Sequence, residues 1–268
     1  MLIELVFLLL AHLLQFSSAS QLPQKENLRL VYLYRAIRDT TGQKEMIIDT
    51  MHLDIYPDSA FFYSKDYCEK KLLLRKDSDR LMPMLFSGMV DGNEMLKYNS
   101  FGLEEIVVKD YGANTLKFFF DIYVYYTETL PVQKWIIHPD TLTLKNGIFC
   151  QKATTTFAGR EYVVWFSPQF NVSTGPWKFH GLPGMVVKAY DTRLQFGYDF
   201  IRMETFTGNS DYYYLPEAPK KTTKQSVQQR MKLSFENAKA YDEMHGITTG
   251  IKDNKPAKRY NPQELTWD

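Results

Sequence analysis

The chain has 268 residues, of which 44% are hydrophobic and 24% charged, with a formal net charge of +1. That length buries a sizeable core, and the composition is that of a soluble globular protein. A charge so near neutral gives no support for nucleic acid as a partner. Aromatic content is high at 15%, which favours strands and suits side chains that cover a groove while keeping a polar tip in water.

From Leu2 to Leu14 the sequence is apolar except for Glu4 and His12, and Phe16-Ser17-Ser18-Ala19-Ser20 follows with small residues. This reads as a secretory signal peptide over 1–20, cleaved near Ala19 or Ser20, although Glu4 stands where a Lys or Arg is usual. The alternative, a membrane anchor, needs about 20 apolar residues, and no other segment approaches that length. Residues 21–268 then form a single β-rich domain. In an oxidising compartment Cys68 and Cys150 can form one disulfide; the competing reading is two buried thiols.

Leu28 to Arg38 and Glu45 to Tyr56 alternate as strands, joined through Thr41-Gly42-Gln43, and Phe61-Phe62-Tyr63 is a third. Asp66 to Asp79 changes to a helical pattern that Asp66 could cap. Further strands are expected over Glu104–Lys109, Leu116–Tyr126, Gln133–His138, Asn146–Phe157, Arg160–Phe166, Met185–Asp191 and Arg193–Met203. The breaks between them, such as His138-Pro139-Asp140 and Ala158-Gly159, are too short for helical crossovers, so the strands should pair as antiparallel hairpins. Thr222 to Met244 predicts one helix with Val227, Met231, Phe235 and Ala238 on one face and Gly246 as its stop. An extended tail follows. The fold class is mainly β (β-rich α+β): a curved antiparallel sheet with one or two helices, the C-terminal one near 222–245.

Gly175-Pro176-Trp177-Lys178-Phe179-His180-Gly181-Leu182-Pro183-Gly184 is the densest run of special residues. Leu182-Pro183-Gly184-Met185 reads as a type II turn, with Pro at its second position and Gly at its third. Gly175, Pro176, Gly181, Pro183 and Gly184 are structural turn residues, and Trp177 and Phe179 face either a core or a cleft.

This run, together with Gly147-Ile148-Phe149-Cys150-Gln151-Lys152-Ala153-Thr154-Thr155, Gly159-Arg160-Glu161-Tyr162, Trp165 and the closing Tyr260-Asn261-Pro262-Gln263-Glu264-Leu265, resembles the GLPGLI family. Met185-Val186 replaces the Leu-Ile of the family name. The resemblance implies an exported protein of a Gram-negative envelope, located in the periplasm, and brings no catalytic residue with it.

Strong motifs for zinc peptidases, thiol redox, serine hydrolases and nucleotide binding are absent. His52, His138, His180 and His245 are scattered, so neither a metal site nor a cofactor is expected. Cys150 and His180 could pair as nucleophile and base, but the apolar surroundings of Cys150 would raise its pKa. For Arg160, a salt bridge or turn contact is the expected role. From Lys220 to Arg259 ten basic residues face four acidic ones, read as a solvated helix face or as a peripheral contact with anionic lipid.

The function expected from these residues is a non-enzymatic binding or envelope-accessory module for an apolar ligand or an envelope partner. Trp165, Trp177, Phe179 and Leu182 are its candidate ligand contacts. An envelope hydrolase with a dispersed active site and a purely structural assembly partner are the alternatives.

Overall fold

The computed structural model describes residues 27–41, 46–76, 102–120, 123–208, 219–246 and 258–266. The apolar leader and Asp77 to Asp79 lie outside the described residues. Eleven strands follow one another along the chain, with short connections except between β3 and β4 and between β9 and β10: β1 (Asn27–Ile37), β2 (Met46–Ile55), β3 (Ser59–Ser64), β4 (Glu105–Asp110), β5 (Thr115–Phe120), β6 (Val124–Thr129), β7 (Ile136–Thr143), β8 (Phe149–Phe157), β9 (Arg160–Ser167), β10 (Met185–Asp191) and β11 (Phe196–Phe206). With the two-residue β12 (Lys220–Lys221) they form one 12-stranded open sheet in the order β12-β6-β5-β4-β3-β2-β1-β11-β10-β9-β8-β7.

Two meanders, β1 to β6 and β7 to β11, thus lie side by side, joined through β1 and β11 over the register Asn27↔Phe206 to Ala36↔Phe196. Short breaks make hairpins, as the sequence implies. Every pairing is antiparallel except that of β12 with β6, so the sheet is mixed. The mainly-β class stands.

Several boundaries differ from the sequence pattern. The apolar run Leu116–Tyr126 is two strands, β5 and β6, folded on each other with Phe118 opposite Tyr126. No Gly or Pro marks that reversal. The expected strand Gln133–His138 is shifted to Ile136–Thr143 and runs through Pro139. Proline is tolerated there because β7 is the sheet's edge and its register is irregular between Ile137 and Thr141.

The first helix, α1 (Lys65–Lys76), is capped by Ser64, whose Oγ accepts from Tyr67 N–H at 3.2 Å; Asp66 lies inside the first turn. The expected C-terminal helix is two, α2 (Lys224–Glu236) and α3 (Ala238–Met244). Asn237 divides them, its side chain accepting from Ala240 N–H at 3.0 Å, the local competition by which Asn interrupts helices. Val227 is fully buried and Met231 packs on the core, whereas Ala238, beyond the break, is exposed. Gly246 ends α3 at φ +76°.

The sheet has two unlike faces. Its inner face carries Leu28, Leu30, Tyr32 and Tyr34 of β1, Tyr162, Val164 and Phe166 of β9, and Phe196 and Tyr198 of β11 in one core with Trp177, Phe179, Leu182 and Val227. On the outer face α1 packs on β2 and β3, and Tyr63, Tyr67, Cys68, Ile106 and Phe119 form a separate cluster there. Cys150 belongs to the main cluster, and no disulfide joins it to Cys68. Of the two readings, the structure has the two buried thiols, each packed as a small hydrophobe in its own cluster.

Candidate functional site

The segment 173–181 folds back as a small hairpin against the inner face, with an isolated bridge between Thr174 and His180. Phe179 N–H donates to Pro176 C=O at 3.1 Å, and Gly175 N–H to Phe179 C=O at 3.0 Å. Trp177 adopts φ +50° at the turn, a left-handed conformation that costs a side-chain-bearing residue roughly 1–3 kcal/mol unless its surroundings hold it. What holds it is an aromatic cluster: Trp177 lies 5.5 Å from Phe157 and 5.4 Å from Phe179, and Phe179 lies 5.0 Å from Tyr162.

At the second turn the geometry differs from the type II expectation. Gly184 N–H bonds to Leu182 C=O at 2.8 Å, two residues back, with φ +156° at Gly184. A Cβ on Gly184 would stand 2.2 Å from Ser167 O, and one on Gly175 2.6 Å from Val186 Cγ2. These two glycines are required by close approach of the hairpin to β9 and β10.

Lys109 and Lys178 are both buried in this region, and no local pattern marks either. Lys109 Nζ bonds Gly175 O at 2.6 Å, Phe179 O at 2.8 Å and Thr174 Oγ1 at 3.1 Å, so it stitches β4 to the hairpin. Burial without a carboxylate partner pushes its pKa well down. Lys178 Nζ meets Tyr126 OH at 2.8 Å, Glu128 Oε1 at 2.6 Å and Glu264. Lys224 closes the box, 3.1 Å from Glu128 and 3.0 Å from Glu264. Burial acts to raise the pKa of Glu264, but the two ammonium groups outweigh it and hold the carboxyl below the usual range.

The C-terminal segment 258–266 is docked by side chains more than by sheet pairing. Arg160 donates to Gln263 O, Asp191, Gln195, Asn261 and Pro262 O over 2.7–3.0 Å, which engages every guanidinium nitrogen. A salt bridge was the role expected for Arg160, and the buried Asp191 supplies it. Gly159 meets the same segment, since a Cβ there would lie 2.9 Å from Leu265 Cβ. The hairpin, Gly159–Tyr162 and the C-terminal segment thus converge on the inner face, where Cys150 and Ala153 also belong to the main cluster.

Two spaces border this knot. A cavity of about 30 Å³ lies between β1, β4, α2 and the C-terminal segment, lined by Arg38, Glu105, Trp177, Met231, Gln263 and Glu264 among others. Beside it, α2 and the segment 258–262 flank a polar groove of about 890 Å³ edged by Lys232, Lys258 and Arg259 against Glu236. A lipid-headgroup contact of the basic tract would fall on that edge; Lys224, turned into the carboxylate box, is unavailable for it.

The outer face holds a different space, of about 490 Å³. Strand register places Gly197 between Arg35 of β1 and Tyr190 of β10, and the missing side chain leaves a gap in that row. One row along, Asp199, Lys188 and Trp165 are successive cross-strand neighbours. Arg35 and Lys188 both pair with Asp199, at 2.5 and 3.2 Å, so the wall carries one more positive than negative charge. Met46, Leu142 and Leu194 complete an apolar border. Its volume falls within the range of small-molecule sites.

The four expected ligand contacts therefore separate. Phe179 and Leu182 are core residues, Trp177 is 2% exposed and borders the small cavity, and Trp165 alone lines the outer groove. Arg35, Lys188, Tyr190, Gly197 and Asp199 were not singled out by sequence; strand alternation puts each on a face, but only the register shows which become neighbours.

Cys150 and His180 do not form a dyad. Cys150 Sγ contacts Ile148 O at 3.7 Å, with its thiol pKa raised by burial, and His180 bonds Pro131 O. Among the described residues no group of three or more His, Cys, Asp or Glu side chains is gathered to hold a metal, and no helix is long and apolar enough to cross a membrane.

The fold and its groove define a mainly-β protein with an open sheet and a recess of ligand size. No family model matches the chain, and no curated protein matches it. Two solved structures of PNGF-II, in different space groups, are similar in fold, each with a TM-score of 0.50, 11% identity and coverage of 76% of this chain. The match spans 32% of the PNGF-II chain in each.

Proposed function

We propose that the chain is an exported binding module of the GLPGLI family, working in the periplasm of a Gram-negative cell. It takes an amphipathic ligand, or an apolar segment of an envelope partner, into the outer groove beside Trp165. The observation that carries this reading is the gap at Gly197, bordered by Trp165 and Tyr190 and edged by the half-exposed Arg35–Asp199–Lys188 set. An aromatic wall takes an apolar body, and the cations, one in excess over Asp199, take an anionic head.

Binding without chemistry suits the way charge is used. Ionised groups near the inner cavity are committed to one another, and the outer groove offers one carboxylate already shared by two cations. Neither offers the pair of differently tuned groups that acid–base catalysis requires.

The probe for this reading is anilinonaphthalene sulfonate, which joins an aromatic body to one anion. Titrated into the chain from Gln21, it should bind saturably at one site. Gly197→Val fills the gap without a clash, because a Cβ there meets Ala189 O at 3.8 Å and Tyr190 Cβ at 3.9 Å, and valine suits a strand. Affinity should fall at least tenfold in this variant while its unfolding midpoint holds. Equal binding by both proteins would remove the groove from consideration.

A further inference from the structure

We infer that the cavity beneath α2 is a dedicated site for one buried water molecule, which ties the C-terminal segment to the sheet. The cavity has about 30 Å³ of room for water, above the roughly 10–15 Å³ that one internal water needs. Among its lining residues are Arg38 and Gln263, only 8% and 7% exposed. Arg38 Nε and Gln263 Nε2 are buried and donate to no protein atom, a loss of about 1–3 kcal/mol for each donor left unmet.

Arg38 Nε and Gln263 Nε2 are donors, so the occupant must present acceptor lone pairs, which a bare cation lacks; Glu264 Oε2, in the same wall, is an acceptor for a hydrogen of the occupant. An anion is excluded by charge. Arg38 is already neutralised by Glu105, and Lys178 and Lys224 are balanced by Glu128 and Glu264. A neutral oxygen remains, and water is the smallest molecule that supplies one with hydrogens of its own. Its two lone pairs can accept from Arg38 and Gln263, and its hydrogens face a wall that includes the Glu105 and Glu264 carboxyls. That gives up to four partners, within the two to four that hold an internal water.

The wall also holds the apolar side chains of Phe118, Trp177, Val227 and Met231 and the polar ones of Tyr126, Gln228 and Tyr260. Arg38 Nη2 is already engaged with Glu105 and Tyr34, and Gln263 Oε1 with Tyr198 OH at 3.1 Å. The water therefore joins β1 and β4 to the segment 260–264 at a point where no direct side-chain bond links Arg38 to Gln263.

A crystal structure of the chain from Gln21, at a resolution that orders internal solvent, should show one full-occupancy water within about 2.7–3.2 Å of both Arg38 Nε and Gln263 Nε2. An empty cavity, or a rearrangement that pairs the two donors with protein acceptors, would overturn the inference. In solution, water oxygen-17 relaxation dispersion counts long-lived internal molecules. Gln263→Met, which removes one donor and adds an apolar group, should lower that count by one relative to the parent chain. An unchanged count in a folded variant would also contradict the site. Should the variant fail to fold, the parent crystal structure decides alone.

Discussion

Two sets of charged side chains lie on opposite faces of the same sheet, and they differ in what surrounds them. On the inner face Lys178, Lys224, Glu128 and Glu264 close a balanced box in which Lys178 is 1% exposed. On the outer face Arg35, Lys188 and Asp199 are 42%, 48% and 26% exposed and one carboxylate serves two cations. Removing a member of the first strands a buried charge; removing a member of the second leaves water to replace it. The inner-face charges hold the hairpin and the C-terminal segment to the sheet, whereas those of the outer groove stand in water.

The largest effect that could break this contrast is at Arg160. Arg160→Ala deletes five hydrogen bonds and leaves Asp191 buried and uncompensated, which should cost about 3–5 kcal/mol in denaturant unfolding. A loss under about 1 kcal/mol would mean that the C-terminal segment is not held by this residue. Next comes Gly184→Ala, whose Cβ would collide with Ser167 O; calorimetry should find it destabilised by about 2–3 kcal/mol. Lys109→Met keeps the side-chain length but leaves Gly175 O and Phe179 O without the donor they share. A cost of about 1–3 kcal/mol is expected, with no change in probe affinity at the outer groove.

Acid should loosen the inner face specifically. The native pKa of Glu264 lies below its ordinary value of 4.5. The carboxylate's contribution is therefore complete above that value and is lost as pH falls through the native one. Stability measured against pH should decline in that window, and Glu264→Gln should flatten the decline. The smallest effect on stability is at Gly197. Gly197→Val should leave the midpoint unchanged or slightly raised, since it removes a flexible residue from a strand, while it removes binding.

Much of the sheet could be read in advance because alternation and turn residues are local. Met185–Asp191 is a strand with those bounds, and β1 and β2 lie within a residue or two of the pattern. The reversal between β5 and β6 was hidden because Phe118-Phe119-Phe120 and Tyr123-Val124-Tyr125-Tyr126 make one mostly apolar run that Asp121 alone interrupts, with no Gly or Pro to divide it. The split at Asn237 depends on a side chain choosing a cap over the helix, a choice of small energy. The cap at Ser64 in place of Asp66 is the same kind of decision.

The sites were harder to see, and for a different reason. Trp177 and Phe179 were recognisable as aromatics pinned by a turn, but their burial comes from Tyr162 on β9, Phe157 on β8 and Tyr198 on β11, which only the long-range register brings together. Lys109 and Lys178 look like surface lysines until the backbone carbonyls of the hairpin and the carboxyl of Glu264 are placed around them. Gly197 sits among Gln195, Phe196 and Tyr198 with no pattern to distinguish it; its neighbours Arg35 and Tyr190 lie on other strands.

The indole N–H signals of Trp165 and Trp177 offer the most direct test, because one lines the outer groove and the other the inner cavity. In a two-dimensional nitrogen–proton spectrum recorded during titration with anilinonaphthalene sulfonate, the Trp165 signal should shift progressively to saturation while that of Trp177 stays in place. A moving Trp177 signal beside an unmoved Trp165 would contradict the division of labour between the two faces.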